Sequence, residues 1–191
     1  MSKKKINNKK IVKKCLKKVI EGVVIATIVT TVTYPITTAK AEVKSSATTV
    51  KKVSRKNFVK DCYSRNKTLA EVLTLMEENT IDAANDTWNL ENYAASYYNY
   101  YAELKELLYT KEEQKALGKQ QLKIAKKWNE ALTHVMLACD SYYQAFICGY
   151  DDAALTSANE EVDAFTTEYK KYMHKVDAYI EKYKLQSVIK G

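Results

Sequence analysis

The stretch Ile124–Gly149, IAKKWNEALTHVMLACDSYYQAFICG, decides the fold. Giving each residue about 100° of rotation places Ile124, Ala125, Trp128, Ala131, Leu132, Val135, Cys139, Tyr142, Tyr143 and Phe146 on one side. Charged and polar residues fill much of the remainder. A stripe of this kind belongs to a helix that shelters one face in a core. Gly149 stands just past the last apolar position, where glycine readily takes the left-handed conformation that closes a helix.

The same periodicity recurs on both sides of this stretch. Phe58, Cys62, Leu69, Val72, Leu73 and Met76 share a face, which predicts a first helix from about Arg55 to Glu78. Leu155, Ala158, Val162, Phe165, Tyr169, Tyr172, Met173, Val176, Tyr179, Ile180 and Tyr183 make the stripe of a last helix. Its start is marked either by Ser157 with Glu160, at capping-box spacing, or by an earlier cap at Asp151 or Asp152. Thr110 and Glu113 have the same spacing and predict a short helical link over Lys111–Leu117.

The second helix, about Ile81 to Tyr109, shows two stripes. Leu90, Tyr93, Tyr97, Tyr100, Leu104, Leu107 and Leu108 form one, and Ile81, Ala84, Trp88, Ala95 and Ala102 form a sparser one opposite. From Glu42 onward there is no proline, and Gly118, Gly149 and Gly191 are the only glycines. So few breakers favour long helices, each about 36–52 Å at 1.5 Å per residue. The expected fold is all-α: an antiparallel up-down-up-down four-helix bundle over residues 55–190.

The chain's N-terminus reads differently. Nine lysines lie between Lys3 and Lys18, an apolar run spans Val19–Ile36, and Ala39-Lys40-Ala41 offers small residues to a signal peptidase. This resembles a bacterial secretory signal of the lysine-rich type. Residues 1–41 are expected to be a leader cleaved after Ala41, and residues 42–54 a flexible linker. The apolar run carries Glu21 and Pro35 and falls short of the roughly 20 residues a membrane span prefers. An uncleaved signal anchor is the alternative. Both place the remainder outside the membrane, secreted or at the cell surface.

The leader also accounts for the formal charge of +8. Setting aside its ten lysines and Glu21 leaves 21 basic and 22 acidic residues, so the exported part is nearly neutral. That removes the electrostatic case for a nucleic-acid partner.

Little in the sequence points to chemistry. His134 and His174 are the only histidines, and each has one acid at helical spacing, Glu130 and Asp177. One histidine with one carboxylate is an incomplete metal site. No glycine-rich phosphate loop, serine elbow or Cys/His nucleophile pair with sequence context is found. The expectation is a non-enzymatic protein without metal or cofactor. Cys139 and Cys148 lie nine residues apart on one helix, about 13.5 Å, beyond the roughly 7 Å reach of a disulfide. Cys62 belongs to the opposite end of a parallel helix. No intrachain disulfide is expected; Cys139 suits a core, and Cys148, near a helix end, suits intermolecular pairing.

Binding is the function class that remains. Trp88 belongs to the extra face of the second helix, Tyr98 falls in the gap between its stripes, and Tyr101 sits beside that gap. Exposed aromatic residues are favoured at protein-binding surfaces. Lys115, Lys119, Lys123, Lys126 and Lys127 gather about the start of the third helix, away from its stripe, and Asp151, Asp152, Glu160, Glu161 and Asp163 gather at the other end. The expected partners are a protein or a second copy at the second helix, or an anionic wall polymer or membrane surface at the lysines. The reading is an exported binding module. Its alternatives are a membrane-anchored extracytoplasmic sensor or accessory domain, and a helical toxin or toxin-neutralising protein.

Overall fold

The computed structural model describes residues 52–188. The leader and most of the linker lie outside the described residues. Helix α1 (Arg55–Asn85) starts at Ser54, whose hydroxyl accepts the Asn57 amide at 3.2 Å. It runs past Glu78, where the sequence reading ends it. The reason lies at Thr80, a polar residue whose hydroxyl donates to the Met76 carbonyl at 2.7 Å and also meets the Tyr97 hydroxyl. Its hydrogen bonding is satisfied inside the helix, so the helix continues. The break comes at Asp86–Asn89 instead. There the Asp86 carboxylate accepts the Trp88 amide at 3.2 Å and the Asn89 side chain at 2.5 Å, a side-chain-stabilised turn.

Helix α2 (Leu90–Glu106) is accordingly shorter than expected, and its second apolar stripe dissolves. Ile81 and Ala84 belong to α1, and Trp88 to the turn. Ala95 and Ala102 stay on α2 but are exposed, present as helix formers. Helix α3 (Lys111–Ala116) carries the expected capping box: Thr110 accepts the Glu113 amide at 3.2 Å, and Glu113 accepts the Thr110 amide at 2.7 Å.

Helix α4 (Lys119–Ile147) holds the deciding stripe. Every stripe residue is buried except half-buried Tyr143. Gly149 adopts φ +74°, and Tyr150 returns its amide to the Ala145 carbonyl at 2.7 Å, closing the helix. Helix α5 (Asp152–Tyr183) takes the earlier of its two candidate starts: Asp151 accepts the Ala154 amide at 2.7 Å, and Ser157 falls inside the helix. A 3-10 turn over Gln186–Val188 follows.

The four long helices pack against one another around a single core. Tyr97 on α2 reaches the Met76 carbonyl of α1 at 3.0 Å and stacks near Tyr142 and Phe146 of α4. Tyr142 donates to Asn159 on α5, and Tyr169 on α5 donates to Asn66 on α1. Burial of Tyr97, Tyr142 and Tyr172 is complete. Tyr97 and Tyr142 sit there because each hydroxyl finds an internal partner. Cys139 lies level with Met76, fourteen residues or about 21 Å along α1 from Cys62, and Cys62, Cys139 and Cys148 are free thiols.

The two tryptophans are placed in opposite environments. Trp128 has no exposed surface and donates its indole N–H to the Leu107 carbonyl at 2.7 Å, whereas Trp88 is 95% exposed. Trp128→Ala is expected to cost about 3–5 kcal/mol in urea denaturation followed by circular dichroism. Trp88→Ala should fall within about 0.5 kcal/mol of the parent.

Candidate interaction surface

The most connected charge is one the sequence reading did not single out. Arg65 projects from α1 into the corner where α2 gives way to α3. Its guanidinium donates to the Leu107 carbonyl at 2.8 Å and the Leu108 carbonyl at 3.3 Å, meets Asp61 at 3.1 Å and Glu113 at 2.6 Å, and lies 4.0 Å over the Tyr109 ring. Burial pushes the Glu113 carboxyl up, but the Thr110 amide and Arg65 outweigh this and hold it below the ordinary value. A helix end leaves its last carbonyls unpaired, and here an arginine takes them. Nothing local in the sequence marks that role, because the two carbonyls lie more than forty residues away.

The lysines divide into two kinds. Lys115 sits at the end of α3, 3.5 Å from Glu112 and open to solvent. Lys119, Lys123 and Lys126 are exposed on α4. Lys127 departs from the group: its side chain is only 22% exposed, it pairs with Glu130, and it reaches Glu168 of α5 at 2.8 Å. It is a strut between helices, because its position turns it towards α5. The histidine pairing also differs from the sequence reading. Glu130 is committed to Lys127, and His134 instead meets Glu161 across the α4–α5 seam at 2.6 Å.

Two open grooves flank the lysine-rich end. One places Lys123, Lys175 and Lys182 around Ile124, Ala178 and Tyr179. The other places Lys52, Arg55 and Lys119 beside Tyr179 and Tyr183, with Arg55 stacked 4.0 Å over the Tyr183 ring. Trp88 is far from both. It lies at the other end, beside Leu90, Ile147 and Gly149. Tyr98 is 70% exposed and Tyr101 37% exposed, both on the outer side of α2. Of the eight residues singled out by sequence, Lys127 stands in the α4–α5 seam, and the other seven occupy three places: a basic end, an aromatic patch on α2, and a turn at the opposite end.

These surfaces present charged groups and aromatic rings to solvent. Cys62 is sealed in the core beside the Tyr109 hydroxyl, and burial pushes its thiol up to about 12, which keeps it protonated and inert. Among the described residues no cluster of three or more His, Cys, Asp or Glu side chains is placed to hold a metal, and no helix is long and apolar enough to cross a membrane.

Glu168 supplies a pH signature. Hydrogen bonds from Lys127 and then Lys171 hold its carboxyl from the ordinary 4.5 down to about 2. The unfolded chain binds this proton first, so the group's stabilisation is complete above about pH 4.5 and is lost as pH falls towards 2. Thermal midpoints measured across that window should fall less steeply in Glu168→Gln than in the parent. Comparison of the chain with protein-family models, curated proteins and solved structures found no match.

Proposed function

We propose that this chain is an exported, non-enzymatic interaction module built as an antiparallel up-down-up-down four-helix bundle. The topology is supported by the cross-helix pairs. Residues Asn66–Tyr169 and Phe58–Tyr179 match rising numbers on α1 with falling numbers on α5, as Trp128–Tyr172 and Tyr142–Asn159 do for α4 and α5. Short connections between long helices favour the same arrangement.

The observation that carries the binding reading is the aromatic patch on α2. Tyr98 and Tyr101 stand in solvent in a domain that buries Tyr97, Tyr142, Tyr169 and Tyr172. A large ring held on a rigid helix contributes contact area at little entropic cost, which is why such residues recur as binding anchors. The basic end is a second contact, able to meet an anionic wall polymer or lipid surface. Export is supported by the pattern of Lys3–Lys18, Val19–Ile36 and Ala39-Lys40-Ala41.

The joint variant Tyr98→Ala, Tyr101→Ala is expected to lose about tenfold or more of its association with intact cells while keeping its thermal midpoint. Unchanged association would remove the patch from the account. The product recovered outside the cell should have the mass of a chain beginning at Glu42; a full-length product would favour the anchored form instead.

A further inference from the structure

Lysine and arginine are absent from residues 68–104 and from residues 128–169, and these two stretches together hold fifteen Asp and Glu. The rest of the described chain holds eighteen Lys and Arg against six acids. The fold converts this into a division in space. Arg65 bonds the Leu107 carbonyl, Trp128 bonds the same carbonyl, Tyr169 bonds Asn66, and Lys127 bonds Glu168. Residues 65–66, 127–128 and 168–169 thus stand at one level across α1, α4 and α5, and α2 ends there at its cap, Leu107. The sign of the charge changes at that level along α1, α4 and α5, while α2 lies in the acidic half. One half of the domain carries a formal +12, eighteen bases less six acids, and the other −15. Soluble domains ordinarily intersperse the two signs.

We propose that two copies of this chain pair side by side and antiparallel, the basic half of each lying against the acidic half of the other, through the face made by α2 and α4. The inference rests on the reading of the chain as an interaction module and names its partner. The chain carries both complements in nearly equal amount and at a fixed separation. A reversed copy satisfies both at once, and a two-fold axis makes the pair closed.

The face has the composition this requires. On α4, Lys119 and Lys126 are exposed in the basic half and Asp140 in the acidic half, with Glu91 of α2 also exposed there. Between them stand Tyr101 and Leu137, 37% and 45% exposed. Spacings of seven, eleven and three residues keep 119, 126, 137 and 140 on one side of α4. At a width of about 10 Å each, α4 over about 43 Å and the 17-residue α2 over about 25 Å present roughly 700 Å² per partner, within the roughly 600–1,000 Å² of a stable interface. An end-to-end contact would offer about half of that.

The test is sedimentation of the full chain. At about 0.02 M salt a dimer is expected, with its affinity at least about tenfold weaker at 0.5 M. Lys119→Glu with Lys126→Glu should be monomeric alone, and so should Glu91→Lys with Asp140→Lys. Mixed, the two variants should recover a one-to-one dimer that grows no further. A monomeric parent at low salt overturns the proposal, as does a variant that still dimerises alone or a mixture that stays monomeric. A mixture that grows into chains overturns it in favour of end-to-end contact. If the parent is monomeric and only the lysine variant loses binding to phosphatidylglycerol vesicles, the basic half serves an anionic surface instead. Loss of dimer with retained Tyr98- and Tyr101-dependent cell association would leave the interaction-module reading standing and remove only the partner named here.

Discussion

Arg65 is the constraint on which the arrangement depends. A guanidinium with five fixed donors is the one side chain that can satisfy two carbonyls at the end of α2, pair with acids from α1 and α3, and cover an aromatic ring at the same time. Its side chain is 12% exposed, so these bonds form where water competes poorly. Each hydrogen bond to a charged group contributes roughly 1.5–3 kcal/mol. Because Trp128 uses the same Leu107 carbonyl, the corner also sets the height of α4 against α2.

That height has consequences for the surface. With α1, α2, α4 and α5 locked in register near Arg65, Lys127 meets Glu168 and the acidic stretches of separate helices come together on one side. A shift of α4 by two turns would mix the signs. The charge pattern is therefore a property of the fold's register as much as of composition, and the exposed rings of Tyr98 and Tyr101 are presented on a helix that cannot slide.

The stripes were legible because they depend on local spacing alone: Phe58 to Met76, Ile124 to Phe146 and Leu155 to Tyr183 each reads as a face without knowledge of its neighbours. The boundary between α1 and α2 was not. Asn79–Thr80 looks like a break until Tyr97, seventeen residues on, supplies a partner for the Thr80 hydroxyl, while Asp86 makes its turn with bonds any Asp could make. Trp88 consequently moved from a helix face into a turn. Lys127 could not be told from Lys126 because its partner lies forty-one residues away, and Arg65 was passed over for the same reason. The runs without lysine or arginine are plain in the sequence, but that they share one half of the domain follows only from the packing.

The most direct measurement is native-state amide hydrogen exchange on Arg65→Met. If this residue fixes the register, protection should fall first over residues 105–117 and the start of α4, while amides around Tyr97 and Met76 keep theirs. Protection over residues 105–117 equal to that of the parent would contradict the account.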